Sequence, residues 1–266
     1  MLKKIFYLSF ILLILFPITT KGQDISLYEQ VNGRYDFTFV GNTLNPIENS
    51  FQTFPAVLTT SDASLTLNSG DIIESAYLYW AGCGTGDFDV KLNGTDITAT
   101  RTFSNALVQG QTYNFFSAFA DVTTQIQATG NGLYTLSDLD VSSFINLHAQ
   151  NSTNFAGWAL IVVYRNPALP LNQLNIYDGM QVVSSLQNFL DVPLNALNVI
   201  DNVDAKIGFL TWEGDSGIAN NETLRINGNI IGNPPLNPAN NAFNGTNSVT
   251  NSNQLYNMDL DIYNIQ

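Results

Sequence analysis

The sequence has few of the residues that most often carry catalysis or hold transition metals. Among 266 residues it contains one cysteine, Cys83, and one histidine, His148. This excludes an internal disulfide and the ligand set of a usual zinc site. We expect Cys83 to be a small packed residue and His148 to lie at the surface or at a helix end. No Gly-x-Ser-x-Gly elbow, phosphate loop or dinucleotide fingerprint is present, so nothing supports a serine hydrolase or a nucleotide-dependent enzyme.

The N-terminal segment is typical of a secretory signal peptide. Two lysines are followed by an apolar run over residues 5–20, and cleavage is expected after Gly22. The alternative is an uncleaved anchor helix, but Pro17 interrupts the run, which is short for a bilayer span of roughly 20 residues. We therefore predict a signal peptide at 1–22, a single mature domain at 23–266, and no membrane insertion after cleavage.

Basic residues are scarce, and removal of the signal peptide makes the imbalance larger. The mature chain keeps six Lys and Arg against all 22 Asp and Glu, a net charge of −16. Such a surface repels nucleic acid and anionic lipid, so we expect no nucleic-acid partner. It is compatible with divalent cations and neutral sugars, but solubility outside the cell is a sufficient explanation of the charge.

Helical periodicity is rare, and alternation of apolar and polar residues dominates the chain. Residues 63–68, 87–94 and 133–141 alternate as half-buried strands do. Residues 75–82 and 157–164 are continuous apolar runs, which are typical of central strands covered on both faces. Asn, Gly, Asp and Pro separate the runs at short intervals. The pattern predicts an all-β fold, a β-sandwich of jelly-roll type.

Two short helices are the exceptions, predicted within 121–132 and 140–151. Each stretch begins with an aspartate, and we interpret Asp121 and Asp140 as helix N-caps rather than as ligands. Gly130 is the expected end of the first helix.

Two stretches, 76–97 and 206–231, share one plan. In each, an apolar strand ends at a Trp, an acidic loop follows, and a further strand ends in Asn-Gly. Asn-Gly supplies the two positive-φ positions of a type I′ hairpin. One hairpin module is therefore predicted to occur twice, with the acidic stretch after the second Trp interpreted mainly as a hairpin loop.

The acidic loops of this module contain the candidate site residues. Glu213 and Asp215, with the corresponding Asp87 and Asp89, are oxygen donors suited to calcium, although no EF-hand spacing is present. The alternative is that these side chains only hydrogen-bond their own turns. Glu213 and Asp215 beside Trp212 could also be the paired carboxylates of a glycosidase, but one Trp on a short loop does not predict a deep cleft. We expect no enzyme, and no cofactor other than calcium.

The composition changes near the C-terminus. Residues 232–254 are rich in Asn, Pro and Gly and predict a long ordered loop. The alternation of Met258, Leu260 and Ile262 with polar residues then predicts a strand. The chain stops within or just after this strand, which we interpret as the mark of a piece of a longer protein.

Several long motifs, taken in order, resemble the N-terminal region of very large, repeat-rich bacterial surface proteins of the gliding-motility-associated kind. The similarity covers residues 24–266. The motifs that carry it are residues 25–49, 76–94, 119–141, 155–181 and 211–228.

The resemblance implies export by the type IX route and a non-catalytic role in adhesion or gliding, with an unknown surface ligand for which we consider a polysaccharide. This sequence lacks the family's downstream repeats and sorting domain. The resemblance therefore implies a cell-surface or extracellular location for a full-length form of the protein and a periplasmic location for a truncated form. The alternative is a carbohydrate-binding module. An exposed row of aromatics would favour sugar binding, whereas aromatics in the core, where we expect Trp80, Trp158 and Trp212, would favour a structural module.

Overall fold

A computed structural model describes residues 23–50, 55–198, 203–218 and 221–265, so the predicted signal peptide lies outside it. The described residues form an all-β sandwich with two short helices, as the sequence predicts. The strands are β1 (Ser26–Gly33), β2 (Tyr35–Thr43), β3 (Thr60–Leu65), β4 (Ile72–Cys83), β5 (Asp89–Leu92), β6 (Thr95–Thr98), β7 (Arg101–Gln109), β8 (Gln111–Asp121), β9 (Gly132–Ser137), β10 (Ala156–Arg165), β11 (Asn172–Asp178), β12 (Ala205–Trp212), β13 (Leu224–Ile226), β14 (Asn229–Ile231) and β15 (Met258–Ile265). The helices are α1 (Thr123–Thr129) and α2 (Ser142–Ala149).

An antiparallel five-stranded sheet with the order β2-β10-β4-β8-β7 is the centre of the molecule. The two long apolar runs of the sequence are β10 and β4, and they lie side by side with Trp158 opposite Trp80. Continuous apolar strands need cover on both faces, and both faces of this sheet are covered. The prediction of central strands is confirmed.

The inner face packs on a four-stranded sheet with the order β3-β9-β5-β6 and on α1. The chain crosses repeatedly between the two sheets, as in a jelly roll: β2, β4, β7–β8 and β10 belong to one, and β3, β5–β6 and β9 to the other. The core between them contains Trp80 and Trp158, both fully buried, with Leu78, Tyr134 and Leu160.

Two separate two-stranded ribbons cover the outer face of the five-stranded sheet. The ribbon β1-β11 packs on the aromatic side chains of β4 and β8, and the ribbon β12-β15 packs on β2 and β10. Glycines in β2 and β10 let the ribbon β12-β15 approach the five-stranded sheet closely. A Cβ at Gly41 would stand 2.9 Å from Leu260 Cδ1, and one at Gly157 would stand 3.0 Å from Met258 Sδ.

The N-cap position of each helix lies one residue later than predicted. The N-cap positions are Val122 and Val141, and neither makes a side-chain capping bond. Asp121 Oδ1 instead accepts a hydrogen bond from Thr123 N at 2.9 Å, and Asp140 Oδ1 accepts one from Ser142 N at 2.8 Å. Each aspartate thus satisfies the amide of the first helical residue from outside the helix, so the N-cap assignment is wrong. Gly130 ends α1 with φ 68°, as predicted.

Cys83 and His148 are both buried within the described fold. Cys83 is fully buried, as predicted, and burial raises the pKa of its thiol to about 11. His148 lies in the last turn of α2 but is also fully buried, against the edges of Tyr113 and Phe115. Its pKa is lowered by burial, and Nδ1 faces the carbonyl oxygen of Thr153 at 3.2 Å. The prediction of a helix end is confirmed, and that of a surface position is wrong.

No helix of the described residues has the length and apolar character needed to cross a bilayer.

Candidate functional site

The Asn-Gly turns of the predicted repeated module are present, but the acidic stretch after the second Trp is not a hairpin loop. Asn93 and Gly94 join β5 to β6 with φ 51° and 77°, and Asn227 and Gly228 join β13 to β14 with φ 50° and 82°. However, β12 pairs with β15 and β13 pairs with β14, so the loop between β12 and β13 links two different sheets. The loop between β12 and β13 is longer than the loop between β4 and β5, and it contacts different parts of the fold.

This acidic loop, residues 213–217, is held against the Asn-rich segment that precedes β15. Glu213 has φ 68°, and its amide donates to the carbonyl oxygen of Asn257 at 2.7 Å. The amide of Asp215 donates to the carbonyl oxygen of Phe243 at 3.1 Å. Between them, Gly214 is buried because its Cα lies against Asp259.

Four acidic residues lie around this loop, and we name Glu48, Glu213, Asp215 and Glu222 the acidic cluster. Glu213 Oε1 accepts a hydrogen bond from Asn49 Nδ2 at 3.3 Å. Glu48 accepts one from the Ser216 hydroxyl and one from the amide of Gly217 at 3.3 Å, while Glu222 accepts one from the amide of Phe243 at 3.3 Å. The cluster therefore joins the segment after β2, the loop after β12 and a residue two positions before β13.

The acidic cluster is electrostatically strained. Burial raises the pKa of Asp215 to about 7, with Glu48 and Glu222 adding to the effect. The pKa of Glu213 is raised well above its ordinary value, chiefly by desolvation and then by the charge of Asp215, and that of Glu222 is raised by burial. Desolvation and like charges both disfavour the ionised carboxylate, which explains the common direction.

Two buried asparagines border the acidic cluster, and each has one unused oxygen. Asn49 is 6% exposed; Nδ2 donates to Glu213 Oε1 and to the carbonyl oxygen of Asn154 at 3.0 Å. Asn241 is 5% exposed; Nδ2 contacts the carbonyl oxygens of Asp215 and Ser216 at 3.4 and 3.3 Å. Within the described part of the chain, neither Oδ1 has a hydrogen-bond donor.

A second pair of acids, Asp259 and Asp261, lies beneath the Asn-rich segment and is fully buried. Asp259 Oδ1 accepts hydrogen bonds from the amides of Asn244 and Thr246, each at 3.0 Å. Asp261 accepts from the amide of Ser248 at 2.8 Å. These two side chains fix the long loop on β15. Burial raises their pKa values, to about 7 for Asp259 and about 6 for Asp261.

The other two predicted calcium candidates, Asp87 and Asp89, lie elsewhere, where the chain enters the four-stranded sheet. Asp87 Oδ2 accepts from the amide of Asp140 at 2.8 Å, and Oδ1 accepts from the amide of Asp89 at 3.4 Å. Asp89 Oδ1 accepts from the Thr98 hydroxyl at 2.6 Å. Both side chains thus have structural hydrogen bonds, and none of these reaches the acidic cluster.

The carboxylates of the acidic cluster do not form a metal site by themselves. Across residues 23–50, 55–198, 203–218 and 221–265, no three His, Cys, Asp or Glu side chains stand close enough together to hold a metal ion. Any cation bound here would also need the amide and backbone oxygens around the cluster. No protein-family model, curated protein or solved structure matches this chain.

Proposed function

We propose that the chain is an exported, non-catalytic N-terminal module of a bacterial cell-surface adhesin, with a role in adhesion or gliding. The observation that carries the proposal is the position of the aromatic residues. Trp80 and Trp158 are fully buried, and Trp212 is half-buried with its ring stacked on Phe155 at 6.1 Å. Aromatics directed into the core support a structural module rather than a surface that stacks on sugars.

The exposed apolar residues support the same choice. The large hydrophobic side chains exposed in the described residues include a single aromatic, Phe189, which lies in the irregular segment between β11 and β12 and not on a sheet face. A carbohydrate-binding module would need several aromatic rings arranged along one face. The sandwich instead presents mostly polar and aliphatic side chains.

Two depressions of the described surface lie away from the acidic cluster. Two open depressions flank Ile97, one lined by residues at the start of α1 and the other by Asp89, Lys91, Asp96 and Asp138. Neither contains a residue of the acidic cluster. The paired carboxylates considered for a glycosidase are thus separate from these depressions.

Export is supported by the sequence of 1–22, which has the basic start and apolar run of a signal peptide. The surface ligand would be a polysaccharide or another neutral surface component, because a chain of net charge −16 repels polyanions.

The proposal is tested by locating the protein and by assaying the purified mature chain. We expect antibodies to label intact producing cells, the mature N-terminus to be Gln23, and beads coated with residues 23–266 to adhere to surfaces on which beads with an unrelated acidic protein do not. Retention of the signal segment, or a lack of adhesion, would contradict the proposal. Selective retention on an immobilised soluble glycan would favour the carbohydrate-binding alternative.

A further inference from the structure

The acidic cluster has no positive charge paired with it, unlike Asp178, a buried acid of the ribbon β1-β11. Asp178, which is 7% exposed, receives two hydrogen bonds from Arg101 at 2.5 and 2.9 Å. Asp36 is likewise paired with Lys206 at 2.6 Å. The five ion pairs of the described residues include no member of the acidic cluster. Its charge is therefore compensated by something other than Lys, Arg or His.

The unused oxygens of Asn49 and Asn241 are the second sign of a missing positive group. Both residues are more than nine-tenths buried beside the acidic loop, where the nitrogen of Asn49 contacts Glu213 and that of Asn241 contacts the carbonyls of Asp215 and Ser216. A buried amide oxygen without a donor costs free energy comparable to a lost hydrogen bond. A cation among these oxygens would satisfy both amides and neutralise the carboxylates.

We propose that the acidic cluster binds one calcium ion, with Glu213 and Asp215 as the charged ligands and Asn49 and Asn241 as neutral oxygen ligands. Calcium accepts six to eight oxygen ligands in flexible arrangements and commonly takes amide and backbone carbonyl oxygens beside carboxylates. This mixture is what the loop offers, because no three carboxylates converge. Glu48 and Glu222, which hydrogen-bond backbone amides, supply further negative charge around the ion.

The donor set discriminates against other metals. Zinc prefers Cys and His, and the cluster contains neither. Magnesium requires a nearly regular octahedron and gives up its water slowly, which suits a rigid pair of carboxylates better than a loop with amide oxygens. The oxygen ligands of the site therefore suit calcium better than zinc or magnesium.

The test uses the mature chain, residues 23–266, freed of metal with a chelator. We expect calcium to bind with one-to-one stoichiometry in titration calorimetry, with a Kd of about 10⁻⁴–10⁻³ M as in extracellular calcium modules. At calcium one hundred times above Kd, Tm should rise by about 5–10 °C, and magnesium should not reproduce the rise. Terbium bound at the site should give luminescence when Trp212 is excited, and added calcium should displace the terbium and abolish this signal.

Paired variants locate the ion. The double variant Glu213→Gln, Asp215→Asn should lose the calcium-dependent rise in Tm, whereas the control Asp87→Asn, Asp89→Asn removes the same number of charges at the corresponding first loop and should keep it. Asn241→Ala should lower calcium affinity by about 10-fold or more. Without calcium, the Glu213→Gln, Asp215→Asn variant should be at least as stable as the wild type, since it removes charges from a crowded site, and this shows that it folds.

Three results would overturn the proposal. The first is a wild-type protein whose Tm and calorimetric trace do not respond to calcium, which would mean that protons alone keep the acidic cluster neutral. The second is an equal response to magnesium. The third is loss of the calcium response in the Asp87→Asn, Asp89→Asn control but not in the Glu213→Gln, Asp215→Asn variant, which would place the ion at the first loop. None of these measurements depends on adhesion, so the calcium site and the proposed function can fail separately.

Discussion

The side chain of Asp259 lies directly against the Cα of Gly214, so that β15 and the acidic loop meet where there is no room for a side chain. A Cβ at position 214 would overlap Asp259 Oδ2 and stand 2.8 Å from the carbonyl oxygen of Phe243. Asp259 cannot move away without giving up its hydrogen bonds to the amides of Asn244 and Thr246. Position 214 therefore requires a glycine, because Asp259 and the backbone of Phe243 approach its Cα too closely for a side chain.

We predict that Gly214→Ala destabilises the protein by about 1–3 kcal/mol, the usual cost of overpacking a buried site. Gly217, in the same loop, is the matched control, because the nearest atom to its added Cβ is Glu48 Oε1 at 4.0 Å. Gly217→Ala should change stability by no more than about 0.5 kcal/mol. Urea denaturation of both variants measures the difference, and equal stabilities would show that the loop is not packed on β15 as described.

Trp158→Ala should destabilise the protein by about 3–5 kcal/mol, the range for removing a large buried aromatic. Trp158 is fully buried opposite Trp80, and its Nε1 donates to the Ser61 hydroxyl at 2.9 Å, so the variant loses both packing and a hydrogen bond. Leu133→Ala is a suitable control, since Leu133 is 58% exposed. If Trp158→Ala matched the wild type in chemical denaturation, Trp158 would have to be exposed and the sugar-binding alternative would regain support.

Much of the central sandwich could be predicted from local pattern, because its strands carry the signature of their environment. The apolar runs at 75–82 and 157–164 correspond to β4 and β10, which are covered on both faces. The alternating stretch at 133–141 overlaps β9 from its second residue onward, and in this strand buried and more accessible residues alternate from Leu133 to Ser137. Such strands can be recognised from sequence because each buried position is occupied by an apolar residue, so the sequence pattern follows the pattern of burial.

Long-range pairing could not be predicted in this way. Residues 206 and 264 pair across almost sixty intervening positions, and no local pattern in β12 indicates that its partner is β15 rather than β13. Alternation along β15 distinguishes Asp259 and Asp261 from the apolar residues, but it does not reveal that an Asn-rich loop buries the polar face. The amide-rich composition of that loop was the available signal, since amides and hydroxyls can satisfy buried carboxylates.

The candidate site was predictable only in part for the same reason. Glu213 and Asp215 stand out because they are close in sequence and follow a Trp. Glu48 joins them from 165 residues away, and Asn49 and Asn241 are two among many asparagines. The residues that complete the cluster come together only through the fold.

The two Asn-Gly turns should respond alike to substitution. Gly94 and Gly228 have φ 77° and 82°, and an added Cβ would meet no atom within 4 Å at either position, so any cost comes from the backbone conformation alone. We predict that Gly94→Ala and Gly228→Ala each destabilise the protein by about 1–2 kcal/mol, the cost of placing an ordinary residue in the left-handed region. Asn tolerates this region, so Gly94→Asn and Gly228→Asn should cost less. Thermal denaturation can compare the four variants. If Gly228→Ala did not change stability, residue 228 would not have the left-handed conformation described for the turn between β13 and β14.

Stability should fall as pH rises from about 4 to about 7 because of Asp259 and Asp261. Their pKa values in the folded protein are about 7 and about 6, raised by burial from the ordinary value of 3.8. The folded state therefore holds more protons than the unfolded state in this interval, and the resulting stabilisation, complete below pH 4, is lost as pH rises through the folded pKa values. His148 acts in the opposite direction: its pKa is lowered, so its contribution is present above about pH 6.5 and is lost as pH falls.

The double variant Asp259→Asn, Asp261→Asn isolates this effect, since an amide does not titrate. Each proton held only by the folded state contributes a slope of about 1.4 kcal/mol per pH unit. In the presence of a chelator, we expect the free energy of unfolding of the wild type to decrease between pH 5 and 7. That of the variant should decrease less, because only Glu213, Asp215 and Glu222, whose pKa values are also raised, still lose protons, while His148 acts in the opposite direction. Asp89→Asn is the control for removal of an exposed carboxylate that also has a hydrogen bond. The same slope in the wild type and the Asp259→Asn, Asp261→Asn variant would mean that these two buried acids do not exchange protons on unfolding in this interval. Their fixed hydrogen bonds to the Asn-rich loop would then have to be made by permanently ionised carboxylates.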